Sequence, residues 1–191
     1  MADVFEVLLQ DHDEVKAMLA RLEYGPKAGT GASAAELAQR RGLAEDVIIE
    51  ESRHEAAEQQ YFWPAVRELG PEGDRVADEA IGQERDAEQV LYQLSKLKAD
   101  DAEFDELLTG FISDARAHIA FEEGHAWPLM RATLTADEAE ELGRKIEQAK
   151  RIAPTRPHPH TPANETARKA AGPLTGAADK LRDAVTGRGR N

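Results

Sequence analysis

At 191 residues the chain has the length of one domain of roughly 150 residues with an appendage, enough to bury a hydrophobic core with a site inside it. Charged residues make up 32% and aromatics only 5%, a balance that favours helix and leaves too few β-branched and aromatic runs for a sheet. Residues 150–191 carry nine Lys and Arg against three Asp and Glu, a net of +6 that leaves −19 on the first 149 residues, and so acidic a body repels nucleic acid.

Asp3 caps a first helix whose apolar seam reads Phe5, Leu8, His12, Val15, Leu19 and Leu22, spaced alternately by three and four. Glycines between Gly25 and Gly31 end it. Ser33 with Glu36 forms a capping box that opens a long second helix. Its inward face reads Leu37, Ala44, Val47, Glu51, His54, Glu58, Tyr61 and Ala65, up to a stop at Gly70-Pro71. The third helix starts near Pro71 or Asp74, with Val76, Ala80, Ala87, Val90, Leu94 and Leu97 on one stripe and Ile81, Glu84, Glu88 and Leu91 beside it. Asp100 and Asp101 mark a turn. A fourth helix runs to about Arg131 with Phe104, Leu107, Phe111, His118, Glu122, His125 and Leu129 in heptad-like register. Thr135 and Glu138 cap a shorter fifth helix to about Arg151.

Short connections between long helices predict an all-α, up-down-up-down four-helix bundle over residues 1–151. The remainder, 152–191, reads as a flexible basic tail rich in Pro, Gly and Ala. It begins with the proline-rich linker APTRPHPHTPANET and holds a weak amphipathic helix near 173–185. His158 and His160 are read as solvated side chains of that linker. No apolar stretch approaches the roughly 20 residues of a membrane span, and the start, MADVFEVLLQDHDEV, is acidic where a signal peptide is basic. A cytoplasmic location is expected.

The most specific signal is an internal repeat. His54, Glu58, Trp63 and Pro64 recur 64 residues later as His118, Glu122, Trp127 and Pro128, with Tyr61 matched by His125. Helical positions i, i+4 and i+7 share a face, so each copy offers an imidazole, a carboxylate and a third donor in one column on the apolar seam. A carboxylate buried there without a partner costs several kcal/mol, and the seam holds no Lys or Arg to offset it. With His12 and Glu84, the two copies supply three imidazoles and three carboxylates around one cavity, a set suited to two metal ions with bridging carboxylates. The chain has no cysteine, which excludes disulfides, thiolate ligands and a cysteine nucleophile. Nitrogen and oxygen donors of this kind suit iron or manganese. Pro64 and Pro128 each remove a backbone hydrogen bond and bend or end their helix. Trp63 and Trp127 are read as packing residues, and Glu55, Glu88 and Glu123 as solvated carboxylates or partners of the ligands.

Over roughly its first 133 residues the chain resembles the hemerythrin-like, or HHE cation-binding, family. That family has a His on helix one, His-x3-Glu on helix two, a His on helix three and His-x3-Glu on helix four. The resemblance implies iron ligands at His12, His54, Glu58, His118 and Glu122, and a pair of irons joined by an oxo or hydroxo bridge. Glu84 stands where the family usually has a histidine, and Glu84 with Glu88 takes the spacing that oxygen carriers fill with two histidines. Glu122 likewise departs from the oxygen carriers, whose aspartate lies one residue further on. Tyr61 and His125 are read either as further metal ligands or as hydrogen-bonding partners of a bridging oxygen or bound peroxide. A site this rich in carboxylate favours ferric over ferrous iron. The chain looks like the actinobacterial members associated with hydrogen peroxide decomposition and nitric oxide chemistry, so the expectation is a di-iron catalase-like protein, or one that uses peroxide to oxidise nitric oxide. The other reading is a module that binds or senses O2, NO or iron without turnover. The basic tail is a candidate for docking a protein partner.

Overall fold

The computed structural model describes residues 2–159 and 175–183, and among them there are helices and no strand. Helix α1 spans Val4–Tyr24, opened by a capping box in which Asp3 accepts from the Glu6 N–H and the Glu6 side chain answers to the Asp3 N–H. A single 3-10 turn at Ala28–Thr30 leads to α2, Ala34–Ala57, with the Ser33–Glu36 box at its start. Gly70 takes φ of +87°, a conformation glycine adopts without strain, and Pro71 then starts α4, Pro71–Leu94. Helix α5 covers Ala102–Phe121 and α7 covers Ala136–Ile152 behind the Thr135–Glu138 box.

The two prolines do not end their helices. Before each lies one widened π turn, Glu58–Phe62 and Glu122–Ala126, after which the helix resumes as α3, Trp63–Arg67, and α6, Trp127–Thr133. The amides of Trp63 and Trp127 bond to the carbonyls five residues back, at Glu58 and Glu122. Because a proline lacks the N–H that the next α-helical bond requires, the wider turn takes up the mismatch without breaking the rod.

An inserted residue also moves the inward face by one position. The column expected to continue through Tyr61 and Ala65 runs instead through Phe62, Trp63 and Val66, all fully buried. In the second copy it runs through Ala126, Trp127 and Met130 while His125 turns outward.

Two apolar clusters fill the bundle. One joins Leu8, Phe62, Trp63, Val66, Val76, Ala80 and Met130. The other joins Val15, Leu19, Val47, Ile48, Leu91, Phe104, Leu108 and Phe111. Helices α1 and α4 pass from the first cluster to the second, α2 and α5 from the second to the first, which is the up-down-up-down order. Each crosses the mid-plane at its polar residues: His12 on α1, His54 and Glu58 at the end of α2, Glu84 on α4, and His118 and Glu122 at the end of α5.

Residues 153–159, expected as an extended linker, fold back onto the chain. The Thr155 hydroxyl donates to Asp183 at 2.5 Å, the His158 ring lies 2.9 Å from Asp179, and the His158 amide donates to Glu88 of α4 at 2.9 Å. The 175–183 segment that carries both aspartates is helical. The rest of the anticipated tail, His160 included, lies outside the described residues. No described helix is long and apolar enough to cross a membrane.

Candidate metal centre

Six side chains meet at the mid-plane. One donor atom from each of His12, His54, Glu58 and Glu122 lies within 4.8 Å of the others, and a second group joins Glu58, Glu84 and His118 on the same criterion. Glu58 belongs to both groups. Its carboxylate, like that of Glu122, has no exposed surface, and Glu84 is 1% exposed.

These atoms approach one another without bonding. His12 Nε2 stands 3.0 Å from Glu122 Oε2, and His54 Nε2 stands 3.2 Å from Glu58 Oε2. Yet His12 Nε2, His118 Nε2 and both oxygens of Glu58 and of Glu122 have no hydrogen bond of acceptable direction to any described residue. Close donors whose lone pairs miss each other are aimed at common points between them, and a buried polar atom left so costs on the order of 1–3 kcal/mol. A cation at each point satisfies them together, so the residues fit metal ions.

The outer ring nitrogens carry the complementary feature. His12 Nδ1 lies 2.9 Å from Glu123 Oε1, which also accepts from Lys16 Nζ at 2.8 Å. His54 Nδ1 lies 3.2 Å from Asp11 Oδ2, and His118 Nδ1 lies 3.0 Å from Gln83 Oε1. Each acceptor is an oxygen, so each Nδ1 donates and the proton is fixed there. In the neutral ring each Nε2 then keeps its lone pair facing inward, the arrangement that orients imidazole ligands. On the carboxylate side, Glu84 accepts from the Trp63 indole N–H and from the Gln59 amide.

Electrostatics follow from this geometry. Burial, then the Glu122 charge, pushes the Glu58 carboxyl well above the usual carboxylate range. Burial pushes Glu122 the same way, but His12, 3.0 Å away, outweighs it and holds the carboxyl down to about 2. Glu84 is raised to about 8 because burial outweighs the stabilising bonds from Gln59 and Trp63. His118 is lowered to about 4 by burial. For His54, burial acts downward, but Glu58 and Asp11 carry it well above its ordinary value. A cavity in which some carboxyls retain protons and others expel them is under-supplied with positive charge.

Of the eight residues singled out from sequence, six converge and two stand apart. Tyr61 is half-buried with its hydroxyl accepting from Gln60 Nε2 at 3.3 Å, and His125 is exposed, bonded through Nδ1 to the Phe121 carbonyl and stacked on the Phe121 ring. Both lie within a π turn, where an extrapolation at α-helical spacing loses its phase. Trp63, read as packing, donates its indole N–H to Glu84, one of the six converging groups. Trp127 lies parallel to the His12 ring, 5.4 Å between centroids and 10° between planes. Asp11, Gln59 and Gln83 went unnoticed because their partners come from other helices, and no spacing within one helix signals such a contact.

An antiparallel helical bundle closed around an inward-facing set of imidazoles and carboxylates defines a helical metal-binding protein. Residues 3–130 match the family model described as the Hemerythrin HHE cation binding domain, and the chain belongs to that family. It is 28% identical over 137 residues to an uncharacterized hemerythrin-like protein of Schizosaccharomyces pombe, covering 71% of this chain and 68% of that one. Among solved structures it is similar to a hemerythrin HHE cation binding domain-containing protein from Mycobacterium kansasii. The TM-score is 0.65 at 20% identity with 90% of each chain covered, a likeness of fold.

Proposed function

We propose that the protein is a non-haem di-iron protein that reacts with hydrogen peroxide, disproportionating it to water and O2 or using it to oxidise nitric oxide. The observation that carries this reading is Glu58, fully buried and common to both donor groups, the position of a carboxylate that bridges two ions. His12, His54 and Glu122 would hold one iron, and Glu84 and His118 the other, with manganese the competing metal for the same donors. When bound, the ions supply the ferric–ferrous redox change.

The chain's own groups set the direction. Three carboxylates against three imidazoles make the cavity hard and anionic, which favours ferric iron. Reversible O2 carriage depends on a stable diferrous state, so peroxide is the better-matched substrate. Trp63 and Trp127, both buried, lie against Glu84 and His12 and shield these donors from bulk water, while the fixed Nδ1 protons of the three histidines hold the rings in place. Tyr61 and His125 stand at the periphery in this reading rather than as metal ligands.

The test is O2 evolution from peroxide by the iron-loaded full chain, with Glu58→Ala as the paired variant. Turnover in the wild type and its loss in the variant are expected. Equal behaviour of the two removes the reading. A reversible shift of the iron absorption band without peroxide consumption assigns the protein instead to binding or sensing of O2, NO or iron.

A further inference from the structure

The family match ends at residue 130, whereas α7 begins at Ala136 and lies along α1 and α2. From its last turn Lys150 reaches Asp11, and its ammonium bonds Asp11 Oδ1. The other oxygen, Oδ2, takes the proton of His54 Nδ1 at 3.2 Å. Lys150, Asp11 and His54 therefore form a line from the fifth helix to a donor of the first group. Both outer members are largely covered, with 18% of the Lys150 side chain and 10% of the Asp11 side chain exposed. On the outside the pair lines a groove of about 890 Å³ between α1 and α7, together with Glu6, Leu9, Glu14 and Glu147.

We infer that Lys150, on a helix beyond the residues matched by the family model, is a positioning residue for the metal centre and that it acts only through Asp11. The inference rests on His54 being a metal ligand, as read above. A carboxylate on an α1 side position has several staggered rotamers and a choice of partners in water. The ammonium on Oδ1 selects the one that turns Oδ2 to the imidazole, and the bond to Oδ2 holds the His54 ring with Nε2 inward. Neighbours that orient ligating histidines are typically worth about 10–100-fold in metal affinity. The corresponding acceptor for His12, Glu123, is anchored in the same way by Lys16, which belongs to α1 itself. Only the His54 side draws its cation from the added helix.

The test is a double-mutant cycle on the full chain, read by Co2+ titration and the cobalt absorption spectrum, with helix content followed in parallel. Asp11→Asn is expected to weaken the binding step that involves His54 by about 10–100-fold. Lys150→Met should weaken the same step several-fold and Lys150→Arg should restore it. Combining Lys150→Met with Asp11→Asn should add nothing to Asp11→Asn alone, the mark of a residue acting through its partner. Lys150→Gln, which keeps a donor without the charge, runs the same cycle independently. Wild-type affinity in both Lys150→Met and Lys150→Gln, or losses that multiply in the double variant, overturn the inference. Since no peroxide enters the measurement, loss of peroxide turnover as a function would leave this result standing. A wild-type chain that binds no Co2+ would remove both readings.

Discussion

Glu58 and Glu122 occupy the same place in the two copies of the repeat, 64 residues apart, meet without exposed surface at one donor group, and have opposite proton affinities. Burial and its neighbour's charge drive Glu58 up, while His12 holds Glu122 down to about 2. Each has an imidazole beside it, His54 at 3.2 Å from Glu58 and His12 at 3.0 Å from Glu122, but only His12 outweighs the burial of its carboxylate. The assembly is short of cations.

The metal-free protein should lose stability as pH rises from about 6.5 to 8. Glu84 keeps its proton up to about 8 in the folded chain against an ordinary 4.5, so its contribution is complete below 4.5 and is lost as pH climbs through 8. His54, raised well above 6.5, is lost in the same direction. His118 and Glu122 are depressed, so their contributions disappear only on the acid side, as pH falls toward 4 and 2 respectively. Over the rise from 6.5 to 8 the Glu84 carboxyl alone removes about 2 kcal/mol. Thermal melts across this window should show the decline without metal and its disappearance with metal.

Single ligand changes should divide the metal content unequally. His118→Ala should empty the position shared with Glu84 and spare the other, and His12→Ala should do the reverse. Glu58→Ala should empty both, because its carboxylate serves both groups. Tyr61→Phe and His125→Ala should leave stoichiometry unchanged, since both side chains lie outside the groups. Elemental analysis of the purified variants reads all five.

Trp63 and Trp127 are repeat partners with different duties. Trp63→Phe removes the indole donor from Glu84 and should weaken the position shared with His118 by about 10-fold or more. The indole N–H of Trp127 has no partner among the described residues, so Trp127→Phe, which keeps a ring against His12, should cost metal affinity little. Parallel Co2+ titrations of the two variants give the comparison, and equal losses would count against separate roles.

Much of this was legible in the sequence. The seams of α1, α2, α4 and α5 follow from apolar spacing, and the six converging donors follow from acids and imidazoles that interrupt those seams without a basic neighbour. Register beyond Pro64 and Pro128 was not legible. A proline predicts that a hydrogen bond is lost, but whether the helix ends, kinks or widens by one residue depends on what its next turn can bury. Here Phe62, Trp63 and Val66 are apolar and fill the first cluster, which favours the widened turn over a break. Tyr61 and His125 were misplaced on the seam for the same reason. Contacts made across helices, such as Lys150 to Asp11 or Trp63 to Glu84, leave no trace in any local spacing.

On this reading the inward-facing carboxylates are there to receive cations. Metal analysis of the full chain, purified without added chelator, tests it most directly. About two irons per chain are expected in the wild type, falling to near none in Glu58→Ala. A well-folded wild-type chain with no bound metal, and none taken up when iron or manganese is supplied, would contradict it.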